Sequence, residues 1–371
     1  MDFFQLANAD ALPSPCLVVD VDRVQRNIAK MLQMVDGDAT RLRPHVKTHK
    51  MPGVIELQID SGITSFKTAT LAEAQMVASV GGSDVLIAHQ LVGPKIQRFH
   101  QLVQQYPDVS FAPIVDDYDI AQQIAGTFAA DQKSLAIYVD VDCGMHRTGI
   151  PLGAGCDALI QKIDFLDGVK FAGLHVYDGH LHQTAWDERC IAAETIIADV
   201  REFLKQYPSA QVVGGGSPTF AVWAKQADCK QADCKQADWQ CSPGTPVFWD
   251  VGYGRAYPDL EFEIAAALLT RVISKPGDNQ ICLDIGYKAI SSEMPLPDRV
   301  VFPEIQDAVL VSHSEEHLVV STSQADDIAV GKSFLAFPKH ICPTVAMHSV
   351  AHLVRWGNAT EETWPVTARD R

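Results

Sequence analysis

From residue 15 to about 255, short apolar runs alternate with longer stretches in which apolar positions recur at helical spacing. The runs at 16–19, 42–47, 65–68, 85–88, 111–115, 135–141, 171–176 and 211–213 read as strands, and amphipathic segments such as 21–34, 71–80, 95–105, 119–128 and 186–206 separate most of them. Eight strand–helix units in roughly 240 residues is the rhythm of a parallel (β/α)8 TIM barrel. An open doubly wound sheet shares that rhythm, but its G-x-G-x-x-G turn after the first strand is missing.

Past residue 256 the period changes. Runs at 265–273, 280–285, 308–311, 317–320, 333–337, 349–354 and 362–366 read as strands with turn residues between them and no convincing helix. The expected α/β architecture is a barrel over residues 15–255 and a C-terminal all-β domain over 256–371, with residues 1–14 packing against the latter. A repeat with a period of five, KQADC, KQADC and KQADW, occupies residues 225–239 and fits no standard structural period, so it reads as a solvated insertion.

Composition narrows the function. The chain has 371 residues and a formal charge of −16, which sets it against phosphate backbones and anionic lipid, so nucleic-acid and membrane-surface roles are not expected. No apolar run approaches the ~18 residues of a membrane span. The acidic start MDFFQLANADALP lacks the basic region of an export signal, so a cytoplasmic protein whose nine cysteines are thiols is expected.

Several clusters carry chemistry. RPHVKTHK, residues 43–50, lies at the end of a strand, where barrel enzymes place their active sites. Extended alternation would put His45, Lys47 and His49 on one face. A desolvated lysine among other cations can form a Schiff base; a solvated basic loop accounts for the same residues. DCGMHRTG, residues 142–149, follows a buried strand, and its glycines frame a turn that could aim Arg147 at an anionic or phenolic oxygen. In GLHVYDGH, residues 173–180, His175 and Tyr177 share a strand face suited to a flat ring, and equally suited to a core. The glycine-rich run from Gly214 to Thr219, with Ser242-Pro243-Gly244-Thr245, offers backbone N–H groups and hydroxyls to a phosphate, where barrels commonly bind one. His340 and Cys342, at i and i+2 of an extended segment, could share one ion; imidazole plus thiolate suits Zn²⁺, though two residues are not a full ligand set. Arg41, Arg43 and His182 are candidates for a second substrate carboxylate.

Together RPHVKTHK, DCGMHRTG and HICPT resemble the fold-type III pyridoxal-phosphate enzymes, the alanine-racemase-like barrels, and within them the branch of D-serine dehydratase, D-threonine aldolase and the 3-hydroxyaspartate lyases. The resemblance implies pyridoxal 5'-phosphate as cofactor and a homodimer. It implies that Lys47 is the Schiff-base lysine, that Arg147 meets the phenolic oxygen and that His175 lies beside the ring. Gly216, Ser217, Gly244 and Thr245 would hold the phosphate, and His340 and Cys342 a divalent metal, Zn²⁺ before Mn²⁺ or Mg²⁺. Alanine racemases have an arginine just before the Pro-Gly of the phosphate loop, facing the pyridine nitrogen. Here that position is Ser242, so the resemblance gives the nitrogen to Tyr177, as in the dehydratases.

The function this implies is a pyridoxal-phosphate- and metal-dependent lyase of small D-β-hydroxy amino acids, of the D-serine or D-threo-3-hydroxyaspartate dehydratase type. Catalysis would rest on Lys47, His175 and Tyr177. The alternatives are retro-aldol cleavage of the D-threonine aldolase type, a metal-independent amino-acid racemase, a pyridoxal-phosphate carrier without turnover, and a cofactor-free aldolase using Lys47.

Overall fold

The computed structural model describes residues 1–131, 134–228 and 239–370. In chain order its strands and helices are β1 (Cys16–Asp20), α1 (Val21–Met34), α2 (Pro52–Asp60), β2 (Ser65–Thr68), α3 (Leu71–Ser79), β3 (Asp84–Ile87), α4 (Pro94–Gln105), β4 (Ser110–Val115) and α5 (Tyr118–Phe128). There follow β5 (Leu135–Val141), α6 (Ala154–Asp164), β6 (Val169–Val176), α7 (Trp186–Leu204), β7 (Gln211–Gly214), α8 (Phe220–Ala224), β8 (Trp239–Cys241) and α9 (Val251–Ala256). The remainder is β9 (Ala266–Gly277), β10 (Gln280–Leu283), β11 (Val300–Val301), β12 (Val309–His313), β13 (Leu318–Ser321), β14 (Ser333–Pro338), α10 (Ile341–Val345), β15 (Val350–Arg355) and β16 (Asn358–Pro365).

Two compact units emerge. One comprises Met31–Lys47, Ile55–Gly244 and Asp370–Arg371; the other comprises Met1–Lys30, Thr48–Val54 and Thr245–Arg369.

The first unit holds a parallel sheet in the order β2 to β8. The segment from Leu42 to His45 closes it into a barrel. Leu42 bridges Cys241 at the β8 edge and His45 bridges Lys67 at the β2 edge. The Arg43 N–H donates to the Cys241 carbonyl, and the Lys67 N–H donates to the Pro44 carbonyl, both at 2.9 Å. Proline cannot donate to a ladder, so this stave stays irregular rather than forming the regular strand expected over 42–47. Inside the barrel Leu86, Ala112, Ile114, Tyr138 and Val213 pack together. Helix starts follow their sequence signals: Thr70 Oγ1 accepts from the Glu73 N–H, and Asp117 Oδ1 from the Ile120 N–H.

The second unit is built on a mostly antiparallel sheet in the order β12-β13-β10-β9-β1-β15-β16, with β14 paired to β9 and β11. Here one expectation is corrected. Residues 16–19 do not form a barrel strand; β1 lies between β9, antiparallel, and β15, parallel. Every residue of β1 is buried. A strand covered on both faces has the same apolar run in either kind of sheet. The barrel strand missing from the expected set is β8, whose three residues adjoin the KQADC repeat. Residues 229–238 of that repeat, with Cys229 and Cys234, lie outside the described residues. The short helix α10 also interrupts a region expected to be all strand.

Candidate active site

The barrel unit gathers its functional side chains at strand ends. Lys47 sits in a 3-10 turn, Val46–Thr48, and its backbone N–H donates to Nδ1 of His45 at 3.3 Å. Such a turn advances by about 120° per residue, so the shared face expected for His45, Lys47 and His49 is not formed. His49 is buried; Nδ1 accepts from the Met51 N–H at 3.2 Å, and burial pushes its pKa down to about 3. It is a neutral structural group. Arg43 is structural too: fully buried, it pairs through Nη1 with Asp84 at 2.9 Å and donates from Nε to Gln240 at 2.7 Å.

Tyr177, just past β6, is the centre of the site. Three cations face its ring, with the Lys47 Nζ 5.9 Å, the Lys67 Nζ 5.5 Å and the Arg147 Cζ 5.1 Å from the ring centroid. Local geometry holds each piece. Asp142 Oδ1 accepts from the N–H groups of Gly144 at 3.0 Å and His146 at 2.9 Å, and Asp116 Oδ2 from that of Gly149 at 2.7 Å, which fixes the loop carrying Arg147. Tyr177 folds over Gly179, where a Cβ would lie 2.2 Å from the ring, so any larger residue there would have to push the tyrosine aside.

Behind this ring runs a buried polar chain. Asp140 Oδ1 lies 2.7 Å from Nδ1 of His175, Thr148 donates to the other Asp140 oxygen at 2.9 Å, and the Lys67 Nζ lies 3.4 Å from Nε2 of His175. A carboxylate only accepts, so Nδ1 carries the proton and Nε2 accepts from Lys67. Burial, with the Lys67 charge adding to it against Asp140, holds the pKa of His175 below its usual value. Burial works against Asp140 as well, but the hydrogen bond and charge of His175, the Thr148 hydroxyl and Arg147 keep that carboxyl below its usual range. Burial pushes Lys67 down to about 7, with the neighbouring Lys47 as the next cause. Sequence reasoning missed Lys67; its signal was a lysine inside a short strand whose neighbours are apolar and hydroxyl residues.

The glycine-rich loop lies next to Tyr177. The Gly215 N–H donates to the Val176 carbonyl at 3.0 Å, the Gly216 N–H to Thr219 Oγ1 at 3.1 Å and the Gly244 N–H to Ser217 Oγ at 3.4 Å. Gly216, Ser217 and Gly244 are thus brought together. A Cβ on Gly216 would sit 3.3 Å from the Tyr177 ring and 3.4 Å from Asp178 Oδ1. Asp178 is buried and takes the Trp223 Nε1–H on Oδ2 at 2.8 Å, while Oδ1 has no partner among the described residues. Burial pushes its pKa up. Ser242, at the position where the racemases carry arginine, is buried and donates to the Arg43 carbonyl at 2.9 Å.

In the second unit Thr245 opens a 3-10 turn, with its hydroxyl 3.8 Å from the Cys342 sulfur. The extended geometry expected for residues 340–342 is half realised. His340 is extended and caps α10, whereas Cys342 lies in the first turn of that helix. Asp250 imposes this: it caps α9 through Oδ1 and accepts from the Ile341 N–H through Oδ2 at 3.2 Å. The two side chains nevertheless meet. Burial disfavours a charged His340, but its hydrogen bond to Cys342 and the charges of Cys342, Asp250 and Glu293 outweigh that and raise its pKa to about 9. Nδ1 of His340 is hydrogen-bonded to Glu293, and Thr48 Oγ1 lies 3.3 Å from the Cys342 sulfur. Among the described residues no cluster of three or more His, Cys, Asp or Glu side chains is arranged to hold a metal. Among the described residues no helix is long and apolar enough to cross a membrane.

The barrel, the cation-ringed tyrosine and the glycine-rich loop agree with comparison to known sequences. The chain belongs to the family described as alanine racemase, N-terminal domain, which matches residues 19–232, more than half its length. That membership places it among the fold-type III pyridoxal-phosphate enzymes; the serine dehydratase domain family matches residues 265–354. Its relatives include the D-threonine aldolase of Arthrobacter sp, 29% identical over 96% of this chain and 92% of that one. Another is the D-threo-3-hydroxyaspartate dehydratase of Delftia sp. (strain HT23), 26% identical over 95% and 97%. The crystal structure of D-threonine aldolase from Filomicrobium marinum superposes with a TM-score of 0.87 at 26% identity, covering 99% of this chain and 98% of that one.

Proposed function

We propose that this enzyme is a pyridoxal-phosphate- and divalent-metal-dependent lyase that dehydrates D-β-hydroxy amino acids of the D-serine or D-threo-3-hydroxyaspartate kind. The observation that carries the reading is the meeting of Lys47 and Arg147 at the Tyr177 ring, beside a glycine-rich loop.

The residues fit the cofactor. Cations suit its phenolate, the loop and its hydroxyls suit its phosphate, and a Cβ at Gly216 would be in close contact with Tyr177 and Asp178. When bound, pyridoxal phosphate supplies an aldehyde that condenses with amines and a ring that spreads negative charge from Cα. Lys47 anchors it and moves the proton at Cα. Arg147 holds the phenolic oxygen, and Gly216, Ser217, Gly244 and Thr245 hold the phosphate. His175, kept neutral by its surroundings, presents a flat uncharged face, while Tyr177 faces the pyridine nitrogen without offering a full charge.

His340 and Cys342 hold the metal, with zinc favoured by the imidazole–thiolate pair. Glu293 on Nδ1 of His340 leaves Nε2 as the coordinating nitrogen, a common carboxylate–histidine arrangement. The metal's chemistry is Lewis-acid activation of the substrate hydroxyl. On the same reading the enzyme is a cytoplasmic homodimer whose charge of −16 suits no nucleic-acid partner.

A second reading, retro-aldol cleavage, is favoured by the relative named D-threonine aldolase, 29% identical; the thiolate of Cys342 speaks for dehydration. Incubation with D-serine, D-threonine and D-threo-3-hydroxyaspartate, with and without added divalent metal, separates them. Keto acid and ammonia support the proposal, aldehyde and an amino acid support the second reading, and no product from any of the three overturns both.

A further inference from the structure

A lysine ammonium has three donors and a full charge to satisfy. Lys67 is only 2% exposed, and among the described residues no carboxylate lies within ion-pair distance of it. Among the described residues the hydrogen-bond partner of its ammonium is Nε2 of His175, at 3.4 Å. It projects from β2, the strand to which the Leu42–His45 stave bridges. A buried cation this poorly matched costs stability, and its ammonium lies 5.5 Å from the centroid of the Tyr177 ring, which Lys47 and Arg147 also approach.

We propose that Lys67 is a positioning residue of the cofactor cavity: its ammonium locks His175 as the Nδ1–H tautomer against Asp140 and places a second positive charge beside the Tyr177 ring and the Lys47 amine. This rests on the cofactor reading above and deepens it. With no arginine at Ser242 to charge the pyridine side, Lys67 supplies electron-withdrawing charge from a different strand. The charged and titratable groups around it are Lys47 from the turn, Asp140 from β5, Arg147 from the loop after β5, His175 from β6 and Asp178 after β6. After burial, the Lys47 and Arg147 charges lower its proton affinity and the two aspartates raise it, leaving it near 7. The charge is therefore full well below pH 7, about half at pH 7 and lost above it.

The test uses the full-length protein with two readouts. In the protein without added cofactor, ¹⁵N shifts of the His175 ring report its tautomer. Lys67→Met should mix the tautomers or shift Nε2, and Lys67→Arg should retain the wild-type pattern. In the cofactor-loaded protein, the absorbance band at about 420 nm should show an inflection near pH 7 in the wild type, absent from both variants. Wild-type ¹⁵N shifts and an unchanged optical titration in Lys67→Met overturn the proposal. A wild type that takes up no pyridoxal phosphate overturns the cofactor reading instead, and the ¹⁵N readout then decides Lys67 alone. If Lys67→Met does not fold, Lys67→Gln, which keeps a donor without the charge, replaces it: the ¹⁵N pattern should hold while the optical inflection disappears.

Discussion

A cation enclosed by protein loses hydration that a single imidazole nitrogen at 3.4 Å does not restore. Lys67 therefore carries a stability cost with a definite pH signature. Its folded pKa, about 7, lies below its unfolded value of 10.5. Between those limits the unfolded chain holds a proton that the folded chain lacks, so this group makes stability rise with pH across that window and imposes a constant cost below it. Lys67→Met is expected to raise the unfolding free energy at pH 7 by about 1–3 kcal/mol and to flatten the pH dependence of Tm between 7 and 10. Thermal melts at both ends of the window check this, and a variant less stable than wild type at pH 7 contradicts it. Asp140 behaves in the opposite sense to a costly group. Its folded pKa is depressed, so its contribution is present above the ordinary carboxylate range and is lost as pH falls through the lower folded value. Asp140→Ala leaves the His175 Nδ1–H and the Thr148 hydroxyl without an acceptor, an expected loss of about 2–4 kcal/mol in denaturant titrations, against about 1 for Thr148→Val. Arg147, His175 and Tyr177 were legible because each follows an apolar run in a short cluster. Lys67 was not, because its significance comes only from a partner 108 residues away.

At the scale of strands and helices, alternation located β3 to β7 well, since each is an apolar run between polar helices. It misplaced β1, and it missed β8 because three residues following a repeat carry too little pattern. His340 and Cys342 were picked out as candidates by residue type, and a capping carboxylate rather than extended alternation accompanies their local geometry. Two glycines separate the roles that these elements play. In β6, a Cβ on Gly173 would stand 2.1 Å from the Gln211 carbonyl oxygen, a backbone clash that forces β6 from β7. After β6, the atoms nearest a Cβ on Gly179 would be those of the Tyr177 side chain. Gly173→Ala is expected to destabilise the protein by about 2 kcal/mol or more or to abolish soluble expression. Gly179→Ala should keep most of the stability and displace Tyr177, weakening pyridoxal-phosphate binding at least tenfold. Denaturation curves and cofactor titration on the two variants decide the matter; equal effects on both measurements would mean that Tyr177 plays no part in holding the cofactor.

For the whole molecule the informative fact is how the two ligand sets are divided along the chain. Lys47, Arg147, His175, Tyr177, Gly216, Ser217 and Gly244 fall in the barrel unit, while Thr245, the last of the proposed phosphate residues, falls with His340 and Cys342 in the unit built on the β9-centred sheet. Cofactor loading and metal loading should therefore be separable. Chelation is expected to stop turnover while leaving the band at about 420 nm in place, and added Zn²⁺ should restore activity. His340→Ala should lower bound metal measured by elemental analysis, since one of two protein ligands is gone and its Glu293 partner loses the imidazole it orients. It should also leave the colour unchanged. Lys47→Ala should do the reverse, abolishing the colour while keeping the metal. Full activity after thorough metal removal would reduce the His340–Cys342 pair to a structural contact and would return the metal-independent racemase to consideration, because that reading makes no use of the pair.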